Sequence, residues 1–357
     1  MIATQADHRL THSRLQCAKT CLRKHYLMYE LGLRPDKEAP PLRVGRAFHI
    51  GMELMGQMGV EEAIASMEAV YYTASLAQGA DAESLAIERQ MVFCLLRNHL
   101  WRWGPMDAEI QVIASEQVFG IPLQNPMTGK RSRTWTLAGR RDKLVKLPGD
   151  RLAILEYKTT SEDISPESDF WRGVLLDSQV SLYWLAALDA GLKVETVLYD
   201  VTRKPDLSPR QVALLDECGN KKVLDAQGQR VLKKDGKPRQ TSDSALGYVL
   251  QTRPETPEEF YHRLLTDIEA RPDYYFARRE IPRLQADLEE ARYELWQWGK
   301  ILRDCRRHGR WPRNTGACRG FGRCSCWDLC TGGFEPESGI IPAGWKQVEN
   351  IHQELEE

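Results

Sequence analysis

The chain holds 357 residues, 42% of them hydrophobic and 28% charged, with nine cysteines and a formal net charge of -1. That length suits one large domain or two modest ones of ordinary globular composition, and the near-balanced charge excludes a molecule-wide polybasic surface for nucleic acid. No apolar run approaches the roughly 20 residues that span a bilayer, and the opening MIATQADHRL lacks an apolar leader, so a cytoplasmic location is expected.

In chain order, a first helix is predicted from a capping box at Ser13 and Gln16 to a stop at Gly32, with Pro35 just beyond. Leu15, Leu22, Tyr26 and Tyr29 make its apolar stripe, and Cys17 and Cys21 fall one turn apart. Further helices are expected over 42–55, where Gly45, His49 and Glu53 share a face, over 60–72 and over 81–103. Past Gly104 and Pro105 the period changes. Residues 110–123 alternate as a strand, and 125–130 form a turn-rich break.

Residues 136–147 and 151–159 read as two strands around Pro148, Gly149 and Asp150, where Pro presets one turn dihedral and Gly accepts the awkward one. A helix over 177–190 and a strand over 195–202 follow, an order that implies a mixed sheet with a helical region before it. Residues 203–253 turn polar and read as an exposed ribbon without a core of its own. No internal repeat is evident. A second capping box, Thr256 to Glu259 with Pro257 at the first helical position, starts a helix to 270. A short strand over 274–277 and a long amphipathic helix over 283–307 lead into RNTGACRGFGRCSCWDLC. The expected organisation is a helical region 1–105, a core 106–204, an insertion 205–255, C-terminal helices with the cysteine-rich segment 256–334, and a tail 335–357.

The central hairpin carries the chemistry. Symmetric pairing about Gly149 sets Asp142 opposite Glu156, on one face and with Cβ atoms ~5 Å apart. Lys158, two residues on, shares that face. Carboxylates that close resist joint ionisation unless a cation neutralises them, and a hard divalent metal would do so. The alternative is a solvated hairpin with one Lys–carboxylate pair, against which the apolar run Leu152 to Leu155 speaks.

Two other clusters stand out. Lys300, Arg303, Arg306, Arg307, Arg310, Arg313, Arg319 and Arg323 crowd one stretch, either as a solvated helix face or as a nucleic-acid contact. Four cysteines lie between 318 and 330, a clustering that points to metal rather than to spaced disulfides. Thiolates suit iron–sulfur clusters and zinc alike.

GRRD followed by EYKT resembles motifs II and III of the PD-(D/E)XK nucleases, in the RecB-type exonuclease branch. VGRAFH is similar to the pattern in which a glycine precedes a metal-binding histidine by four residues, and Gln179 with Tyr183 resembles the QxxxY motif behind the ExK strand. CLRKHYL resembles the CPRKF-like motif of members with an iron–sulfur cluster, with Leu22 in place of the proline. The resemblance implies a restriction-endonuclease-like α/β fold: a mixed central sheet flanked by helices, an N-terminal helical region and a C-terminal cysteine-cluster cap.

It also implies roles. His49, Asp142 and Glu156, helped by the carbonyl of Tyr157, would bind Mg²⁺ or Mn²⁺. Lys158 would orient the nucleophile or neutralise charge on phosphate, and Gln179 and Tyr183 would sit near the active site and the DNA strand. Glu116 is a further acidic candidate. Cys21, Cys318, Cys324 and Cys330 would hold a 4Fe-4S cluster, with Cys326 or Cys17 as substitutes and zinc as the alternative metal. Cys94, Cys218 and Cys305 read as packing residues. The activity implied is a stand-alone DNA exonuclease of recombination, repair, phage or CRISPR type, and the absence of GxxxxGK[ST] leaves no helicase motor in the sequence. Two rivals are a non-catalytic nucleic-acid-binding protein and a zinc-stapled adaptor.

Overall fold

The computed structural model describes residues 7–76, 81–320 and 322–355; residues 1–6, on which part of the leader-free reading falls, lie outside them. Six strands form the central sheet: β1 (Arg9–Leu10), β2 (Gln111–Gln124), β3 (Arg131–Leu147), β4 (Arg151–Thr160), β5 (Thr196–Arg203) and β6 (Phe276–Ile281). Their order is β1-β3-β4-β5-β6, with β2 also paired to β3. The β1–β3 and β4–β5 pairs are parallel and the others antiparallel, which makes the sheet mixed.

The hairpin adopts the symmetric register expected of it, from Leu147 opposite Arg151 to Lys143 opposite Leu155. Gly149 (φ 83°) and Asp150 (φ 61°) supply the left-handed backbone that closes the turn. Along β3 and β4 side chains alternate between two cores. Leu144 and Ile154 face one, with the helices Ser178–Asp189 and Gln285–His308. Val145, Ala153, Leu155 and Tyr157 face the other, with Pro40–Met58, Val60–Ser75, Ala82–Asp107 and Pro257–Ala270. Burial on both faces explains the unbroken apolar run of β4. Among the described residues, no helix is long and apolar enough to cross a membrane.

Three local expectations change. The first helix is capped by Thr11, not Ser13, and runs only from His12 to Thr20. Cys21 is extended (φ -165°, ψ 120°) and breaks it; helix resumes at Leu22 and passes into a π turn over Tyr26–Glu30. The break is stabilised from the far end of the chain: Asn314 donates its backbone N–H to Cys21 Sγ at 3.3 Å and its side-chain amide to Thr20 O at 2.9 Å. The short strand predicted over 274–277 is instead a helical turn, Pro272–Tyr275, followed by β6. The charges of β6 hid it: Arg278 is neutralised by Asp200 and Asp107, both at 2.6 Å.

The insertion does contain a repeat, three successive tight turns with the same hydrogen bonds. The tail packs into the fold as well. Trp345–Gln347 pairs with Leu33–Pro35, and Ile351, His352 and Leu355 are buried.

Candidate functional site

Asp142 shares the alternation of Leu144, and Glu156 and Lys158 that of Ile154, so all three lie on the face covered by the Ser178–Asp189 helix. Asp142 Oδ2 accepts the Tyr157 N–H at 2.9 Å, which places a side chain where a ladder bond would otherwise form. His49, from the helix over the opposite face, brings Nδ1 to 3.7 Å from the same oxygen.

Glu156 is 1% exposed. Its Oε1 lies 2.9 Å from Lys158 Nζ, whereas Oε2 is buried without a hydrogen-bond partner. Lys158 Nζ also donates to Gln179 Oε1 at 2.7 Å and lies 3.3 Å from Asp177 Oδ2. Gln179 passes the chain on, donating Nε2–H to the Tyr183 hydroxyl at 2.8 Å. The Tyr183 ring rests on bare backbone, since a Cβ at Gly139 would come within 3.1 Å of it and 2.6 Å of Phe119.

The electrostatics of the site are governed first by burial. Burial first, then the neighbouring Asp142 charge, raises the Glu156 pKa; burial likewise raises that of Asp142, opposed by the Tyr157 N–H and Lys158. Burial would lower Lys158, but Glu156 and Asp177 outweigh it and keep the ammonium charged. The His49 imidazole is lowered, chiefly by desolvation.

Glu116 lies between the pairs Ser115–Lys143 and Gln117–Arg141, across from Asp142, with a left-handed backbone (φ 48°). Burial and the Asp142 charge push it up to about 8, although Arg140 Nε lies 2.7 Å from its carboxylate. Strain of that kind on a non-glycine residue is concentrated at working sites.

Among the described residues, no three His, Cys, Asp or Glu side chains stand together at ion-holding spacing. Mg²⁺, however, keeps several waters and takes one or two carboxylates plus substrate phosphate. Two buried carboxylates of raised pKa, one with an orphaned oxygen, fit such an ion.

The cysteine segments of the N- and C-terminal regions meet. Asn314 contacts both Cys21 and, through its carbonyl, Cys318 Sγ at 3.8 Å; Cys324 N–H bonds to Cys318 O at 3.0 Å. Cys324, Cys326 and Cys330 pack with Leu27 and Leu31. Burial raises Cys330, and pushes Cys17 to about 11 and Cys326 to about 12. Cys94 is buried and Cys218 exposed. Of the basic stretch, Arg306 is committed to the fold, forked onto Glu30 at 2.8 and 3.0 Å over the Trp135 ring.

The sequence matches the model of the PD-(D/E)XK nuclease superfamily over residues 9–331. The chain belongs to the PD-(D/E)XK nuclease superfamily. Its mixed sheet flanked by helices is the fold expected of that superfamily, and membership marks it as a metal-dependent nuclease. No curated protein matches. The solved structure titled "Crystal structure of SSO0001" aligns at 12% identity over 93% of this chain and 96% of that one, with a TM-score of 0.28, too low to carry an argument.

Asp177 is a further carboxylate at the candidate site that the sequence does not single out. It was visible only as the start of a helix, whereas its carboxylate both caps Gln179 N–H at 2.8 Å and meets Lys158.

Proposed function

We propose that this nuclease is a DNA exonuclease of the RecB-like branch that hydrolyses phosphodiester bonds at DNA ends. The observation that carries the reading is the buried Asp142–Glu156 pair, with one Glu156 oxygen left without a partner and the Lys158 ammonium on the other. Asp142 and Glu156, with His49 and the Tyr157 carbonyl, would hold Mg²⁺ or Mn²⁺. When bound, the ion supplies Lewis acidity toward water and the phosphodiester. Lys158 neutralises charge developing on the phosphate, and Gln179, braced by Tyr183, aims its ammonium. The motif order from VGRAFH to QxxxY supports action on DNA in recombination, repair, phage or CRISPR processing.

The test is degradation of end-labelled oligonucleotides with Mn²⁺, with and without chelator. Asp142→Ala, Glu156→Ala and Lys158→Ala should each cut cleavage by about a hundredfold or more. The first two should also weaken Mn²⁺ binding followed by electron paramagnetic resonance. All three should stay folded, since removing a carboxylate relieves repulsion and Lys158 is partly solvent-exposed. Near wild-type cleavage by Lys158→Ala overturns the assignment.

We further propose that Cys21, Cys318, Cys324 and Cys330 bind a 4Fe-4S cluster that staples the two chain ends. An all-thiol donor set drawn from both ends supports it, and zinc is the competing occupant.

A further inference from the structure

The insertion leaves the sheet at the end that carries the candidate chemistry. Arg203, the last residue of β5, pairs with Thr160 of β4, two residues past Lys158, and Lys204 N–H bonds to Thr160 O at 2.7 Å. Beyond this stem come three copies of one turn. Leu215, Leu224 and Leu232 each precede, by four residues, a glycine in the left-handed region: Gly219 (φ 78°), Gly228 (φ 76°) and Gly236 (φ 76°). Each turn closes with the same bonds. Asp216 N–H reaches Asn220 O, Asp225 N–H reaches Gln229 O, and Lys233 N–H reaches Lys237 O, at 2.8, 2.9 and 2.8 Å. Val223 and Val231 are buried between the turns and hold the stack together.

Charge in this stack is sorted by its geometry. Between Leu214 and Arg239 there are seven basic and four acidic side chains, in a chain whose net charge is -1. Three of the four acids are spent on the turns: Asp216 accepts from Cys218 and Asn220 N–H, Asp225 from Gln227 and Gln229, and Asp235 from Lys237. Asp216 also pairs with Arg230. Lys221, Lys222, Lys233, Lys234 and Lys237 are exposed, and their ammonium groups meet no partner among the described residues. The turns hold three of the four carboxylates against backbone N–H groups, so the segment keeps a surplus of three positive charges, and five of its seven cations are exposed lysines. A ladder of exposed, unpaired ammonium groups rooted beside the catalytic face suits a repeating polyanion.

We propose that residues 214–239 form an arm that tracks the phosphate backbone of the DNA substrate away from the cleaved bond. The proposal rests on the nuclease reading for the identity of that polyanion. The arm supplies affinity without base readout, because lysine contacts phosphate as a point charge.

The test replaces all five lysines by Gln in the full chain and measures binding to a 30-base-pair duplex by anisotropy over a salt series without divalent ion. Each phosphate contact contributes about 0.9 to the log–log salt slope. The variant should therefore lose roughly 2 to 4 units of slope and at least about tenfold in affinity near 0.1 M salt. Its cleavage of a saturating short oligonucleotide, and its thermal melt, should match wild type. An unchanged slope overturns the arm, and would leave an acidic protein as the partner that the lysines serve. Loss of short-oligonucleotide cleavage overturns it too, since the lysines would then act through the site. The nuclease reading fails separately, if wild type cleaves no DNA while the slope difference persists.

Discussion

Lys158 spends its ammonium inside the protein, on Glu156, Gln179 and Asp177. Alternation along β4 made Glu156 and Lys158 legible as a pair, and symmetric pairing about Gly149 brought Asp142 to them. Asp177 was not legible, because an N-cap aspartate looks the same whether or not its second oxygen reaches a lysine. The two duties can be separated by substitution, since Asn caps a helix as well as Asp does. Asp177→Asn should melt within about 0.5 kcal/mol of wild type, whereas Asp177→Ala should lose roughly 1 kcal/mol. Both should lower kcat by about tenfold with KM for DNA little changed, because the charge that holds Lys158 acts in the transition state. Wild-type kcat in Asp177→Asn would reduce Asp177 to a cap.

At the scale of elements, legibility followed the range of the cause. The hairpin, the 256–270 helix and the 177–190 helix are set by neighbours in sequence: a turn, a capping box, an N-cap. The break at Cys21 is set by Asn314, which no local pattern announces. The insertion repeat escaped notice because its spacing slips from nine residues to eight and its third turn opens with Lys233 instead of Asp. The extended Cys21 frees its sulfur from the helix surface and turns it toward the segment of Cys318, Cys324 and Cys330. Anaerobically purified protein should contain roughly equal iron and sulfide and be brown. Cys21→Ser, Cys318→Ser and Cys330→Ser should lose the colour and stability together, while Cys94→Ser keeps both. Colourless protein with one equivalent of zinc would replace the cluster but keep the staple.

Across the whole molecule the described N- and C-terminal segments pack on each other, through Leu33–Pro35 with Trp345–Gln347 and through Asp7 with His352, which composition could not reveal. His352 is fully buried among Asp7, Glu354 and Thr11, with Nε2 3.3 Å from Asp7 Oδ1 and Nδ1 3.2 Å from Glu354 Oε1. The cations Arg14 and Arg306 lie nearby, each tied to Glu30, and buried His25 beside them is held well below its ordinary value by desolvation first. Burial alone would lower His352 too, but the neighbouring carboxylates of Asp7 and Glu354 outweigh it and raise its pKa above 6.5. A folded-state pKa raised in this way contributes stability that is complete below 6.5 and lost as pH rises through the folded value. Asp7 and Glu354 are lowered from 3.8 and 4.5, though burial opposes it, so their share appears above those values and is lost as pH falls. The latch is therefore strongest between about 4.5 and 6.5. His352→Asn keeps some hydrogen bonding but carries no charge. It should cost about 1–2 kcal/mol in unfolding experiments at pH 6, and the gap to wild type should narrow by pH 9 as wild type loses its proton. A gap that stays constant from pH 6 to pH 9 would mean that the imidazole fills space in the seam and that its charge does not hold the tail.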